Sequence, residues 1–223
     1  GAYVIDTAEK LALFARDVNA GTKTTASIIL TKNIDLMGRR YGGTADAPIR
    51  GTPIGTADHV YQGIVSGPRV IANMRVEQAG VGGLFGYVGG GAELALIGLD
   101  TSCSVTTTAP TAGGDSGTAA MVGVVKTVSD AKQIEIRYCY SRASVSGHSS
   151  NTGTFVGQAM GTHASGADII TNSYAAGPIR TSSGTAGALA GYFAGNSGTL
   201  RVIQSSCWDA DTISGQSLKA ESE

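Results

Sequence analysis

Short apolar runs separated by clusters of Gly, Ser, Asn and Thr make up most of this chain. Ile134 to Ile136, Cys139 to Val145 and Thr154 to Ala159 are such runs, β-rich and bounded by turn residues, and they read as strands. None carries a helix-length apolar period. The runs also recur. Cys139, Ser173 and Cys207 stand 34 residues apart, as do Tyr140, Tyr174 and Trp208, and Val145, Ile179 and Ile213. The same step joins Ile136 to Ile170, Phe155 to Leu189, Gly157 to Gly191 and Gly161 to Gly195.

Towards the N-terminus the period loosens but its grammar persists. Leu96, Leu99 and Val105 repeat the spacing of Ile136, Cys139 and Val145, and Ile71 and Met74 begin it once more. A Gly-apolar element returns as Gly82-Gly83-Leu84-Phe85-Gly86, Met121-Val122-Gly123, Phe155-Val156-Gly157 and Leu189-Ala190-Gly191. A unit of this size cannot bury its own apolar face, so neighbours must stack, each strand pairing in parallel with its counterpart one unit on. The predicted fold is all-β, a right-handed parallel β-helix (a solenoid of about five coils) with one short N-terminal α-helix. Coils about 4.8 Å apart would place Cys139 and Cys207 about 9.6 Å from each other, too far for a disulfide.

The first 60 residues depart from the repeat. Asp6-Thr7-Ala8-Glu9 has the form of a capping box. Leu11, Phe14, Ala15 and Val18 then fall on one helical face before Asn19-Ala20-Gly21 ends the run. A stack of strands leaves its core and a row of backbone groups open at each end, so this helix is expected to cover the N-terminal end or pack beside the first coil. The expected organisation is an N-terminal helix and atypical first coil over 1–60, repeated coils over 61–215, and a polar tail over 216–223.

Composition narrows the function. The 223 residues include 33 Gly and 5 Pro, 15% are charged, and the formal net charge is −1. Hydrophobic content of 42% with so small a net charge excludes a disordered polar tail. The Gly residues follow no G-X-Y period, which excludes collagen. Basic residues form no stripe that could neutralise a row of phosphates, so no nucleic-acid partner is expected. No apolar run reaches membrane-spanning length, so this segment is not expected to insert in a membrane. No signal peptide precedes Ala2, so the chain is either cytoplasmic or a mature domain separated from its export signal. Cys103, Cys139 and Cys207 are odd in number and include no C-x-x-C pair, which points to small buried hydrophobes rather than a disulfide framework or zinc site. Like charges stacked at matching positions would repel, which accounts for the shortage of charge.

An ordered series of segments carries a family likeness: Tyr3-Val4-Ile5-Asp6-Thr7-Ala8-Glu9-Lys10-Leu11, Ile29-Leu30-Thr31-Lys32-Asn33-Ile34-Asp35-Leu36, Pro53-Ile54-Gly55 and Gly80-Val81-Gly82-Gly83-Leu84-Phe85-Gly86-Tyr87. With Cys139-Tyr140-Ser141, Ser173-Tyr174-Ala175 and Cys207-Trp208-Asp209, the series resembles bacterial cell-surface proteins with GLUG-type repeats. The likeness covers nearly the whole chain. It departs at Met121-Val122-Gly123-Val124-Val125, which lacks the usual Gly pair, and at Gly63-Ile64-Val65-Ser66-Gly67, where the family is richer in Phe and Asp. The resemblance implies an exported, cell-surface β-helix, a segment of an adhesin-like protein or a module flanking a surface protease of the IgA type.

Candidate chemistry is sparse. Glycoside hydrolysis needs two carboxylates about 5–9.5 Å apart, and Asp209 with Asp211 is the one D-x-D. Its counterparts one unit back are Ala175 and Gly177, so no second acidic rung supports it. No acid cluster suggests the calcium of a polysaccharide lyase. His59, His148 and His163 lie in Gly- and Ser-rich surroundings without an H-E-x-x-H motif and read as solvated loop histidines. Loops at Thr106 to Gly117, Ser146 to Gly153 and Arg180 to Ala186 leave the same edge of successive units, polar and nearly uncharged. Alternation from Cys139 puts Ser141, Ala143 and Val145 on its side and turns Tyr140 outward, so Tyr140, Tyr174 and Trp208 are expected to form an aromatic ladder. Such a ladder either stabilises the stack or holds sugar rings or a protein partner.

The expected function is a non-catalytic, extracellular adhesin-like binding or spacer module, secreted or at the cell surface, without a cofactor. Its partner would be a glycan or a host matrix protein, and the oligomeric state stays open. The alternative is a carbohydrate-active enzyme of the β-helix type, a polysaccharide lyase or glycoside hydrolase.

Overall fold

A computed structural model of the chain describes residues 1–36, 52–110, 114–126, 134–160, 170–194 and 203–211. The helix spans Ala8–Asn19, and Thr7 caps it, its side chain accepting from the Lys10 backbone N–H. Ala8, Leu11, Phe14, Ala15 and Val18 form its buried face. Phe14 meets Tyr61 edge-on at 5.8 Å, and Tyr61 stacks on Phe85 at 5.4 Å. Asn19 fastens the helix end to the crossing segment, donating to the Pro53 carbonyl and accepting from the Gly55 N–H.

The remaining elements are strands of two to five residues, and every pairing between them is parallel. Among the described residues they fall into five separate sheets of seven, six, four, four and two strands. The seven-stranded sheet runs from Tyr3–Ile5 through Glu93–Ala95 and Glu135–Arg137 to Ile203–Gln204. The six-stranded sheet runs from Ile34–Asp35 through Ile97–Leu99, Tyr140–Ser141 and Tyr174–Ala175 to Cys207–Trp208. One four-stranded sheet holds Ser144–Gly147, the other Val156–Met160, and the two-stranded sheet joins Thr118–Ala119 to Thr152–Gly153. This arrangement of separate parallel sheets replaces the single right-handed parallel β-helix expected from the repeat. The reason is physical: a sequence period reports which strands are neighbours, but neither the hand of the chain nor the number of sheets a unit is divided among. Bends end each strand within a few residues and keep the sheets apart.

Register confirms the period where it is strict and corrects it where it loosens. Ile136 pairs with Ile170, Val145 with Ile179, and Val156 with Ala190. Further back, Leu94 and not Leu96 is the partner of Ile136, and Leu99 meets Ser141 rather than Cys139. Ile71 correspondingly pairs with Leu99. In the last repeat the step shortens by one, with Ile170 opposite Ile203 and Tyr174 opposite Cys207. Ile213, Gly161 and Gly195 lie outside the described residues, as does His163. Columns such as Ile28–Val65–Leu94–Ile136–Ile170 are buried throughout. Each such side chain contributes roughly 1.5–3 kcal/mol by leaving water.

Two stacked features shape the surface. Between the seven- and six-stranded sheets the chain turns through Leu96, Tyr138, Asn172 and Ser205, all with φ between 47° and 62°. Leu96 N–H donates to the Arg137 carbonyl, Tyr138 to Thr171 and Asn172 to Gln204, so these corners sit one above another. Asn accepts this left-handed conformation readily; for a bulky residue it costs roughly 1–2 kcal/mol. The second feature is the glycine series Gly86, Gly123, Gly157 and Gly191, one in each strand of the Val156 sheet. A Cβ on Gly86 would lie 2.6 Å from the Gly55 carbonyl oxygen. A Cβ on Gly157 would strike the backbone of Gly117 and Thr118, and one on Gly191 the Thr152 N–H. The recurring glycines let a preceding segment of backbone cross the sheet.

Candidate binding surface

Tyr140 and Tyr174 are register partners on the outer face of the six-stranded sheet, 37% and 40% exposed. Their neighbours in sequence, Cys139, Ser141 and Ala175, are buried, which is the alternation that turns the rings outward. The Tyr140 ring lies over Gly98, its partner on the preceding strand, where any Cβ would collide with it. Gly98 therefore gives that ring a flat backbone to rest on.

Trp208 is placed differently. The shortened last step sets it opposite Ala175 instead of Tyr174, with Cys207 taking the position next to Tyr174. Trp208 is exposed, but on the side of the strand that Ala175 buries. The described ladder is thus a tyrosine pair.

The surface beside this pair holds residues that the alternation argument missed. Tyr138 and Leu96, at the stacked corners, are 52% and 42% exposed. Next to them, Arg137 reaches the carboxylate of Glu93 and lies 3.5 Å from that of Glu135, with its guanidinium 5.7 Å from the Tyr138 ring centroid. Glu93 and Glu135 are register partners, so two acids stand at matching positions, bridged by one base. Hydrogen bonding to Glu93 holds the Arg137 guanidinium above its ordinary range. A detectable signal existed. Ile136 and Cys139 are both buried three residues apart, which a continuous strand forbids and a corner with two outward residues requires.

Asp209 and Asp211 form a turn in which the Asp211 N–H donates to Asp209 Oδ1 at 3.0 Å. The polar loops pack on each other. Asn151 Nδ2 donates to Ser116 Oγ at 2.7 Å, Thr181 Oγ1 to the Ser149 carbonyl at 2.8 Å, and Ser182 Oγ to the His148 carbonyl at 3.2 Å. Within them His148 is not the solvated side chain expected. Its Nδ1 lies 2.9 Å from Thr107 Oγ1, which is also 2.6 Å from Thr118 Oγ1, while Nε2 is buried without a hydrogen-bond partner among the described residues. Burial lowers its pKa below the usual histidine value. His59 differs again, holding a turn through its backbone and Thr56.

All three cysteines are free, Cys103 and Cys139 buried and Cys207 exposed. No described helix is long and apolar enough to cross a membrane.

No family model matches the chain, and no curated protein does. Among solved structures it is similar to a protein described as a "putative immunoglobulin A1 protease" from Bacteroides ovatus, with a TM-score of 0.54 and 17% identity, over 100% of this chain and 80% of that one. At that identity the likeness is one of fold.

Proposed function

We propose that this protein is a non-catalytic binding module of an exported, adhesin-like bacterial surface protein of the GLUG-repeat kind. The observation that carries the reading is the register-paired, exposed tyrosines Tyr140 and Tyr174 on a rigid sheet face. Exposed aromatic rings lose contact with water when a sugar face or partner side chain covers them. A scaffold of buried columns holds them in place before binding, which lowers the ordering cost. The fold similarity to a protein described as a "putative immunoglobulin A1 protease" is compatible with a module that accompanies catalysis elsewhere.

The carbohydrate-active enzyme is less well supported. Glu93 and Glu135 are the acids at matching positions, but they are ion-paired with Arg137 on an open surface. The environment that keeps a catalytic carboxyl protonated is burial against apolar groups. The reading is tested by measuring binding of the protein to glycan and matrix-protein arrays beside a Tyr140→Ala/Tyr174→Ala variant. A loss of about tenfold or more is expected, equivalent to about 1.4 kcal/mol. Unchanged binding, or no binding by the wild type, would overturn it.

A further inference from the structure

The left-handed corners raise a question that stability does not answer. In the corner column Asn172 occupies the turn cheaply, and Gly67 has positive φ where the chain passes between the same two sheets. Leu96 and Tyr138 occupy it at a cost, and both project into solvent. Burial offsets that cost only in part, with each side chain about half exposed and Tyr138 gaining the Arg137 guanidinium beside its ring. Strain retained with so little packing reward points to a function.

We propose that Leu96 and Tyr138, together with Tyr140, form the centre of a site for a neutral glycan, whose hydroxyl groups bond to Arg137 and its carboxylate partners Glu93 and Glu135. This rests on the binding role proposed above and specifies its ligand. Size favours a glycan: a protein partner covers about 20–30 residues a side, whereas these corners and the adjoining tyrosines suit a few sugar rings. Charge favours a neutral one. The polar cluster sets one guanidinium, Arg137, against two carboxylates, Glu93 and Glu135, so its net charge is negative and disfavours an acidic chain. A guanidinium and two carboxylates nevertheless supply the donors and acceptors that fix sugar hydroxyls, beside rings that cover the apolar faces.

The test compares Tyr138→Asn and Leu96→Asn with the wild type, since Asn is the residue found at the equivalent corner. Thermal unfolding should show a Tm unchanged or raised, while retention on immobilised neutral glucan, mannan and galactan falls tenfold or more. If Tyr138→Asn folds and keeps wild-type retention, the assignment is overturned. If Tyr140→Ala/Tyr174→Ala then still abolishes binding, the general binding role survives that failure; if neither variant matters, both readings fall. Wild-type retention on acidic glycans or matrix proteins but on no neutral glycan would overturn the ligand class alone.

Discussion

Replacing Gly157 by Ala probes the crossing of backbone over the Val156 sheet. An added Cβ would lie 2.6 Å from the Gly117 carbonyl carbon and 2.8 Å from its Cα, about 1 Å inside the optimal carbon–carbon separation of roughly 3.5–4.0 Å. The crossing segment cannot retreat freely. The Thr118 N–H donates to the Asn151 carbonyl at 2.8 Å, and its hydroxyl is tied to Thr107 at 2.6 Å. Overpacking costs roughly 1–3 kcal/mol, and a lost hydrogen bond adds roughly 0.5–1.5. The less flexible unfolded chain returns roughly 0.4–1. The net loss is about 2 kcal/mol, or about 4–8 °C in Tm for a chain of this length. Gly114, with φ +85° and nothing within 4 Å of an added Cβ, should cost only its backbone strain, about 1–2 kcal/mol. Urea unfolding followed by far-ultraviolet circular dichroism measures both. A Gly157→Ala variant as stable as the wild type would refute the packing argument.

Two further perturbations read other parts of the molecule. His148 has a lowered pKa because burial disfavours its charged form, so the neutral ring stabilises the fold. That stabilisation is complete above the unfolded value of 6.5 and is lost as pH falls through the lower folded value. A His148→Gln variant should lose less stability on acidification from neutral pH than the wild type, and a parallel decline would exclude this role. Thiol labelling in native buffer should modify Cys207 rapidly while Cys103 and Cys139 react only on unfolding, since both are buried and desolvation pushes the Cys139 thiol up to about 11. Rapid labelling of all three would contradict the buried placement.

What the sequence made legible was local and pairwise. The 34-residue step between Tyr140 and Tyr174, or Ile136 and Ile170, survives as strand register, because stacked counterparts share one environment. The helix was equally visible, since its buried face follows the period of Leu11, Phe14, Ala15 and Val18. The division into five sheets was not, because the hand and angle of a bend are set by backbone geometry that apolar spacing does not encode. Trp208 was misplaced for a narrower reason. The last step is one residue shorter, and a one-residue slip exchanges the two faces of a strand. Leu96 matches Ile136 by spacing, since its distance to Leu99 equals that of Ile136 to Cys139, although Leu94 is the true counterpart. The same slip concealed the corner surface and the Glu93–Arg137–Glu135 cluster, whose members pair across a spacing different from the main period.

The central claim is that this protein binds without turning over what it binds. Affinity electrophoresis of the wild type in gels containing neutral polysaccharide, with a parallel assay for new reducing ends and unsaturated products, measures both halves together. The account predicts retarded migration and no product. Product formation would establish the carbohydrate-active enzyme instead, and unretarded migration in every gel would contradict the neutral-glycan binding surface.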